Sequence, residues 1–319
     1  MNHDLIGAAE FSAAVPVRGG LLHVGQWHRG AEGPPVLAVH GITAHHQSWA
    51  RVAAHLTDVP VIAPDLRGRG QSRDLPMPGR LDDHADDLAA VLDHLGIERA
   101  VVVGHSMGGF VAVRFAHRHP HRVAGALLVD GGLPLPGPTP GPDGSTPSAD
   151  DLLGPAIARL GRTFCSLEEY RAFWRAHPAF GPIWDEWVQA YVDYDLVGSD
   201  ADLHPSATAE AVRVNTLELG DAAAHLSALA SIPEGTEVLR VPRGLMDEPG
   251  GLYPAHHAEA LAAELPQLRL RTLDDLNHYS GVLAESGAAA VAASVRAALA
   301  RTTPRLVTAA GSAAPAKGL

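Results

Sequence analysis

Four short, uninterrupted apolar runs, Val36-Leu37-Ala38-Val39, Val61-Ile62-Ala63, Val101-Val102-Val103 and Val123–Val129, alternate with longer amphipathic stretches. That alternation is the sequence form of an α/β sheet, and no other feature narrows the fold as far. The clearest helical stretch carries Leu81, Ala85, Leu88, Leu92 and Leu95 at spacings of 4, 3, 4 and 3. Asp82, Asp83, Asp86, Asp87 and Asp93 lie opposite, on what reads as a solvated face, and Gly96 stands where a helix ends. A second helical stretch follows Gly104 and runs to about His119-Pro120. After Asp130-Gly131-Gly132 the rhythm breaks. Residues 133–149 are rich in Pro, Gly and Ser, and residues 150–232 read as several helices without strands. Strand signals return at 237–241 and 268–273, beside helical segments near 254–264 and 283–301. The expected architecture is a mainly parallel sheet from residues 1–132 and 233–301, a helical cap from 133–232 and a loose tail from 302–319.

Composition removes several classes of function. The chain carries 36 acidic against 24 basic side chains, a net charge of −12, with no block of Lys or Arg, so it repels phosphate backbones and anionic lipid surfaces. Cys165 is the single cysteine, which excludes an internal disulfide framework and a multi-cysteine zinc site. Lys317, in the tail, is the single lysine, which excludes Schiff-base lysines, Ser–Lys pairs and a GxxxxGK[ST] phosphate loop. The start of the chain holds Asp4 and Glu10 and no apolar stretch of signal-peptide type, and no run approaches 18 strongly apolar residues. The expectation is a soluble cytoplasmic protein acting on a small molecule, with no nucleic-acid or membrane partner and an oligomeric state that the sequence does not reveal.

The chemistry is concentrated at Gly104-His105-Ser106-Met107-Gly108. A bare GxSxG match is weak, but this one joins a strand to a helix. A sharp strand-to-helix turn lifts the central hydroxyl above the sheet edge and requires glycine on either side, where a Cβ would collide with backbone. The new helix aims its free N–H groups at the same point. With His40-Gly41-Ile42-Thr43, the run Asp65-Leu66-Arg67-Gly68-Arg69-Gly70-Gln71-Ser72, and Asn277-His278-Tyr279 after the last strand, the chain resembles the α/β-hydrolase fold superfamily over roughly residues 14–301. The resemblance implies an eight-stranded sheet with the cap inserted after the sixth strand. It implies Ser106 as nucleophile, His278 as general base, and backbone N–H groups of Met107 and Ile42, or Thr43, as the oxyanion hole. For the acid, Asp247 after the seventh strand occupies the family's usual position and is preferred, with Asp130 at the end of the sixth strand and Glu248 as alternatives.

Other residues read plainly. His117, His119 and His121 straddle Pro120 and suggest a solvated helix end rather than a metal site. His45 and His46 suggest a surface loop, Asp65 and Arg67 a brace beside the turn, and Cys165 a packed thiol. Of 6 Phe, 5 Trp and 5 Tyr, nine fall between 164 and 194, with Trp184, Trp187, Tyr191 and Tyr194 on one helix face. Such a stripe glues a cap to a sheet and also roofs a pocket, which makes Trp184 and Trp187 the expected substrate contacts. The function expected is serine hydrolysis of a carboxylic ester or lactone through an acyl-serine intermediate, without metal or organic cofactor. The alternatives are a carbon–carbon bond hydrolase or thioesterase with the same triad, or a non-catalytic ligand receptor on this fold.

Overall fold

Every residue of β3 (Val36–Val39), β4 (Val61–Pro64) and β5 (Ala100–His105) is buried, as continuous apolar runs require when both faces of a sheet are covered. The computed structural model describes residues 6–137, 159–199 and 202–302. Side chains leave these strands alternately to two cores. Leu37, Val39 and Val102 join one core beneath helices α2 (Leu81–His94) and α3 (Met107–Arg118). Val36, Ala38, Val101 and Val103 join the other, against α1 (Ala50–Ala54) and the last helix, Glu285–Thr302. The period of two along each strand is therefore what makes a three-layer molecule.

Eight strands share one sheet in the order β1-β2-β4-β3-β5-β6-β9-β10. The outer pair, β1 (Phe11–Val17) and β2 (Gly20–Trp27), is antiparallel, and β2 meets β4 antiparallel. From β4 onward the sheet is parallel, through β6 (Val123–Val129), β9 (Thr236–Arg240) and β10 (Leu268–Thr272). Parallel pairing sends the loops after β3, β5, β6, β9 and β10 to one edge.

The chain between β6 and β9 forms an insert. Its described part holds helices Leu167–Arg175, Glu186–Asp195, Ala209–Leu219 and Ala222–Leu229, capped by the side chains of Ser166, Asp185, Thr208 and Asp221. It is not free of strands, as the sequence suggests. β7 (Leu196–Ser199) pairs antiparallel with β8 (Asp202–Pro205), and Phe164 bridges to Leu203. These strands are four residues long and mostly half-buried or exposed, so they leave no apolar pattern to read. The insert rests on the loops of the common edge: Arg159 donates to the Thr43 carbonyl at 3.2 Å, Tyr194 to Asp65 at 2.7 Å and Asn277 to the Ala179 carbonyl at 3.2 Å. The expected connector over 133–149 and the expected tail over 302–319 lie, beyond residues 137 and 302, outside the described residues.

The acidic face of α2 is less solvated than its pattern suggests. Asp87 is buried and accepts two hydrogen bonds from Arg67, while Asp82 and Asp86 pair with Arg114 and Arg118. Cys165 is exposed, not packed. No helix among the described residues is long and apolar enough to cross a membrane.

The tightest approach between layers is at Gly108, where a Cβ would come within 2.0 Å of the Val39 carbonyl oxygen and 2.7 Å of that of His40. Both obstacles are backbone and cannot rotate away. Gly108→Ala is expected to lose about 3 kcal/mol or more in urea unfolding, while Gly220→Ala, where the nearest atom is 3.5 Å away, stays within about 0.5 kcal/mol of wild type. Equal stability of the two variants would contradict this account of the turn.

Candidate active site

Ser106 links β5 to α3 with φ 55° and ψ −126°, a conformation that non-glycine residues rarely adopt and that costs on the order of 1–3 kcal/mol. The surroundings leave it no alternative. Its N–H donates to the Val129 carbonyl and its own carbonyl accepts from Gly109, both at 2.9 Å. A Cβ on Gly104 would stand 2.1 Å from the Gly108 oxygen, and one on Gly131 only 2.0 Å from the Ser106 oxygen. Ser106 is partly exposed, whereas the residues on either side of it are buried.

His278 follows β10 and is buried. Its Nδ1–H donates to Asp130 Oδ2 at 2.7 Å, and Asp130 is wholly buried at the end of β6. Asp130 also stands at positive φ, 40°, and its Oδ1 accepts from the Val241 N–H at 3.3 Å. One carboxylate oxygen thus anchors to the end of β9, and the other orients the imidazole. His105 supports the same loop from below, with its Nε2 against the His278 carbonyl at 2.9 Å and the two rings 4.7 Å apart. Because a carbonyl only accepts, Nε2 carries the proton. Burial, followed by the charge of His278, holds the His105 pKa well below that of a free histidine and keeps the ring neutral.

The carboxylate preferred from sequence is elsewhere. Asp247 makes a two-pronged pair with Arg243 at 2.8 and 2.6 Å and accepts from Asn277 Nδ2 at 3.1 Å, one residue short of His278. The Arg243 hydrogen bonds hold its carboxyl below the usual aspartate range. Glu248 turns back onto the Met246 N–H at 2.8 Å. Both acids are absorbed by their own turn, and Asp130 is the one that reaches the imidazole. The sequence does hold a signal for it: Asp130-Gly131-Gly132 closes a buried strand, and Gly131 is where the chain passes against Ser106.

Gly41 lies beside the serine, where a Cβ would sit 3.2 Å from Ser106 Cβ and 3.6 Å from Oγ. The strand-end loop carrying Ile42 is fixed by His40, whose Nδ1–H donates to the Gly41 carbonyl at 2.8 Å while Nε2 accepts from Leu66 N–H at 2.9 Å. Burial lowers the His40 pKa to about 3, so the ring serves as a neutral brace. Ile42 thus follows Gly41 in the loop after β3, and Met107 follows Ser106 at the start of α3.

Among the described residues, neither Trp184 nor Trp187 makes a ring contact with His278 or Tyr279. Trp184 lies under the Arg175 guanidinium at 4.8 Å, and Trp187 packs against Arg51 at 5.4 Å and against Gly7. The rings that approach His278 begin with Tyr279, 5.6 Å away, which packs on Phe180 at 4.6 Å and His177 at 5.9 Å, with Trp174 at 6.4 Å. His45 and His46 are buried, not on a surface loop: His45 stacks on Tyr191 at 4.4 Å, and His46 donates to Asp65 through both its backbone N–H and Nδ1. Asp65 accepts further hydrogen bonds from the Gln71 N–H and Tyr194. His23, His46 and Asp65 are close enough to hold a metal ion, but the oxygens of Asp65 are already engaged by these four donors. Arg67 braces the same loop through Asp87. His117 and His119 turn to Ser231 and Asp86 respectively and do not converge.

Residues 34–166 match the family model of the alpha/beta hydrolase fold. Over 117 residues the chain is 44% identical to lipase LipV of Mycobacterium tuberculosis, a match covering 36% of this chain and 44% of that protein. The chain spans less than half the length of such curated relatives. Over nearly the whole chain the likeness is one of fold. E-2-(acetamidomethylene)succinate hydrolase superposes with a TM-score of 0.71 at 20% identity, covering 90% of this chain and 97% of that one. An alpha/beta hydrolase from Novosphingobium aromaticivorans superposes with a TM-score of 0.64 at 25% identity, covering 92% and 99%.

The geometry makes a spectroscopic prediction independent of any activity. A proton held between His278 Nδ1 and a buried carboxylate gives a far-downfield proton resonance. That signal is expected in wild type and in Asp247→Asn, and is expected to vanish in Asp130→Asn. Its loss in Asp247→Asn alone would reverse the assignment.

Proposed function

We propose that this chain, which has the α/β-hydrolase fold, is a serine hydrolase that cleaves a carboxylic ester or lactone through an acyl-serine intermediate. The observation that carries the reading is the strained Ser106 at the head of α3, with the buried Asp130–His278 pair on the adjoining strand ends. A structural serine has no need of a left-handed backbone.

In this reading Ser106 Oγ attacks the carbonyl carbon as its proton passes to His278 Nε2. Asp130 keeps Nδ1 protonated, so that Nε2 has a free lone pair, and stabilises the imidazolium that forms. The N–H groups of Met107 and Ile42 receive the developing alkoxide, each donor worth on the order of 3 kcal/mol. Collapse breaks the bond from carbonyl carbon to leaving oxygen, and His278 returns the proton to that oxygen. Water then repeats the sequence on the acyl-serine and releases the acid. Every proton in the cycle is handled by His278, and water is the only co-reactant.

The insert supports a small-molecule substrate with an apolar portion. Tyr279, Phe180 and Trp174 form the aromatic wall nearest the imidazole, and such walls supply most of the binding surface of small-molecule sites. The ring of Tyr279, whose hydroxyl burial pushes up to about 12, stays neutral across the working range.

Ser106→Ala is expected to lower turnover of a chromogenic ester by roughly 10⁴–10⁶ while leaving the fold intact, and a fluorophosphonate should label Ser106 alone. A variant keeping a tenth of the wild-type rate would overturn the serine mechanism. Asp130→Asn should cost on the order of 10⁴ in kcat, and Asp247→Asn less than about tenfold. In the aromatic wall, Phe180→Ala should shift preference among acyl chain lengths, whereas Trp187→Ala should alter stability and leave that preference unchanged. The reverse pattern in a panel of p-nitrophenyl esters would place the acyl pocket under Trp187.

A further inference from the structure

Among the described residues five arginines are buried, and of the three with least exposure, Arg67, Arg69 and Arg159, two are neutralised. Arg67 pairs with Asp87 at 2.5 Å and Arg159 with Asp195 at 3.0 Å. The third, Arg69, has no exposed surface and, among the described residues, no carboxylate within ion-pair distance. His40 and His84, two histidines whose pKa values its charge lowers, are buried and neutral, with pKa values of about 3 set chiefly by burial. An unpaired guanidinium is strongly disfavoured in such surroundings, and a neutral amide could satisfy a carbonyl there as well. Burial pulls its own pKa down to about 9, which still leaves it charged at neutral pH.

What the guanidinium touches is specific. Nε donates to the Ile42 carbonyl at 2.9 Å, Nη1 to the Arg67 carbonyl at 2.8 Å, and Nη2 points to Met107 Sδ at 3.9 Å. Ile42 and Met107 are the two residues whose N–H groups receive the alkoxide in the proposed mechanism. One lies in the loop after β3 and the other at the first position of α3, and Arg69 touches the carbonyl of Ile42 and the side-chain sulfur of Met107.

Resting on that reading of the site, we propose that Arg69 is a positioning residue for the oxyanion hole. It ties the loop of Ile42, through that residue's carbonyl, to the start of α3, through the Met107 sulfur, and lends the site a fixed positive charge that favours the anionic tetrahedral intermediate over the neutral substrate. A charge in this place acts on the transition state, because the bound ester has no net charge for it to stabilise.

The test compares wild type with Arg69→Gln and Arg69→Lys. Two probes are used: a trifluoromethyl ketone, which Ser106 converts to an anionic adduct, and the matching methyl ketone, which stays neutral. Arg69→Gln is expected to lose roughly 10–100-fold in kcat with KM within about threefold, and fluoroketone affinity should fall in parallel with kcat/KM. Methyl ketone affinity should hold, and Arg69→Lys should recover most of the loss. A folded Arg69→Gln with kcat and fluoroketone affinity within about threefold of wild type would overturn the proposal. So would equal loss of affinity for both ketones, which marks a distorted pocket. If Arg69→Gln does not fold, Arg69→Lys carries the test: a retained preference for the fluoroketone supports the proposal and its loss with intact methyl ketone binding overturns it. A wild-type protein that neither turns over esters nor takes up fluorophosphonate at Ser106 would instead show the functional reading to be wrong, and this proposal would fall with it.

Discussion

Three segments of backbone meet beneath Ser106 with no room for a side chain between them. The turn from β5 into α3 lies against the end of β3 at Gly108 and against the chain leaving β6 at Gly131, with Cβ clearances of about 2 Å in each case. Interlayer packing of that kind fixes the serine more firmly than hydrogen bonds alone, because backbone cannot swing aside. It also explains how a residue at φ 55° persists: the strain is local, and the contacts opposing its relief are spread over three strands.

The same edge concentrates buried polar groups that would be costly anywhere else. His40, His105 and Asp130 have essentially no contact with solvent, and each makes hydrogen bonds that fix a loop rather than a strand. Asp130 is the clearest case, since one oxygen holds the chain leaving β9 at Val241 while the other meets His278 Nδ1. The insert adds a second tier through Arg159 on Thr43 and Tyr194 on Asp65, so the loops around Ser106 are held from below by the sheet and from above by the insert. Buried hydrogen-bond networks of this sort rigidify what they hold, although His105 Nδ1 and Arg159 Nε are buried here without a partner.

Much of this was legible from residues alone. Uninterrupted valine-rich runs announced a sheet covered on both faces, and the glycines around Ser106 announced the turn. Among 19 histidines, His278 was singled out by the resemblance, which implies a histidine after the last strand. The short hairpin at β7 and β8 could not be read, because four half-exposed residues carry no periodicity. Nor could the aromatic wall, since Trp174 and Phe180 differ from Trp184 and Trp187 only in which way their segments face once the insert has docked.

The choice between Asp130 and Asp247 shows where the boundary lies. Both follow parallel strands, both sit at positive φ, and both reach the loop that carries His278. The sequence, through its resemblance to the α/β-hydrolase fold, led to the expectation of a carboxylate at this edge after the sixth or the seventh strand. Which carboxylate meets the imidazole was decided by side-chain partners that only tertiary structure supplies. Arg243, four residues back in the same turn, takes Asp247 with two hydrogen bonds, while at the buried end of β6 Asp130 meets, among the described residues, the Val241 N–H and His278 but no Arg or Lys.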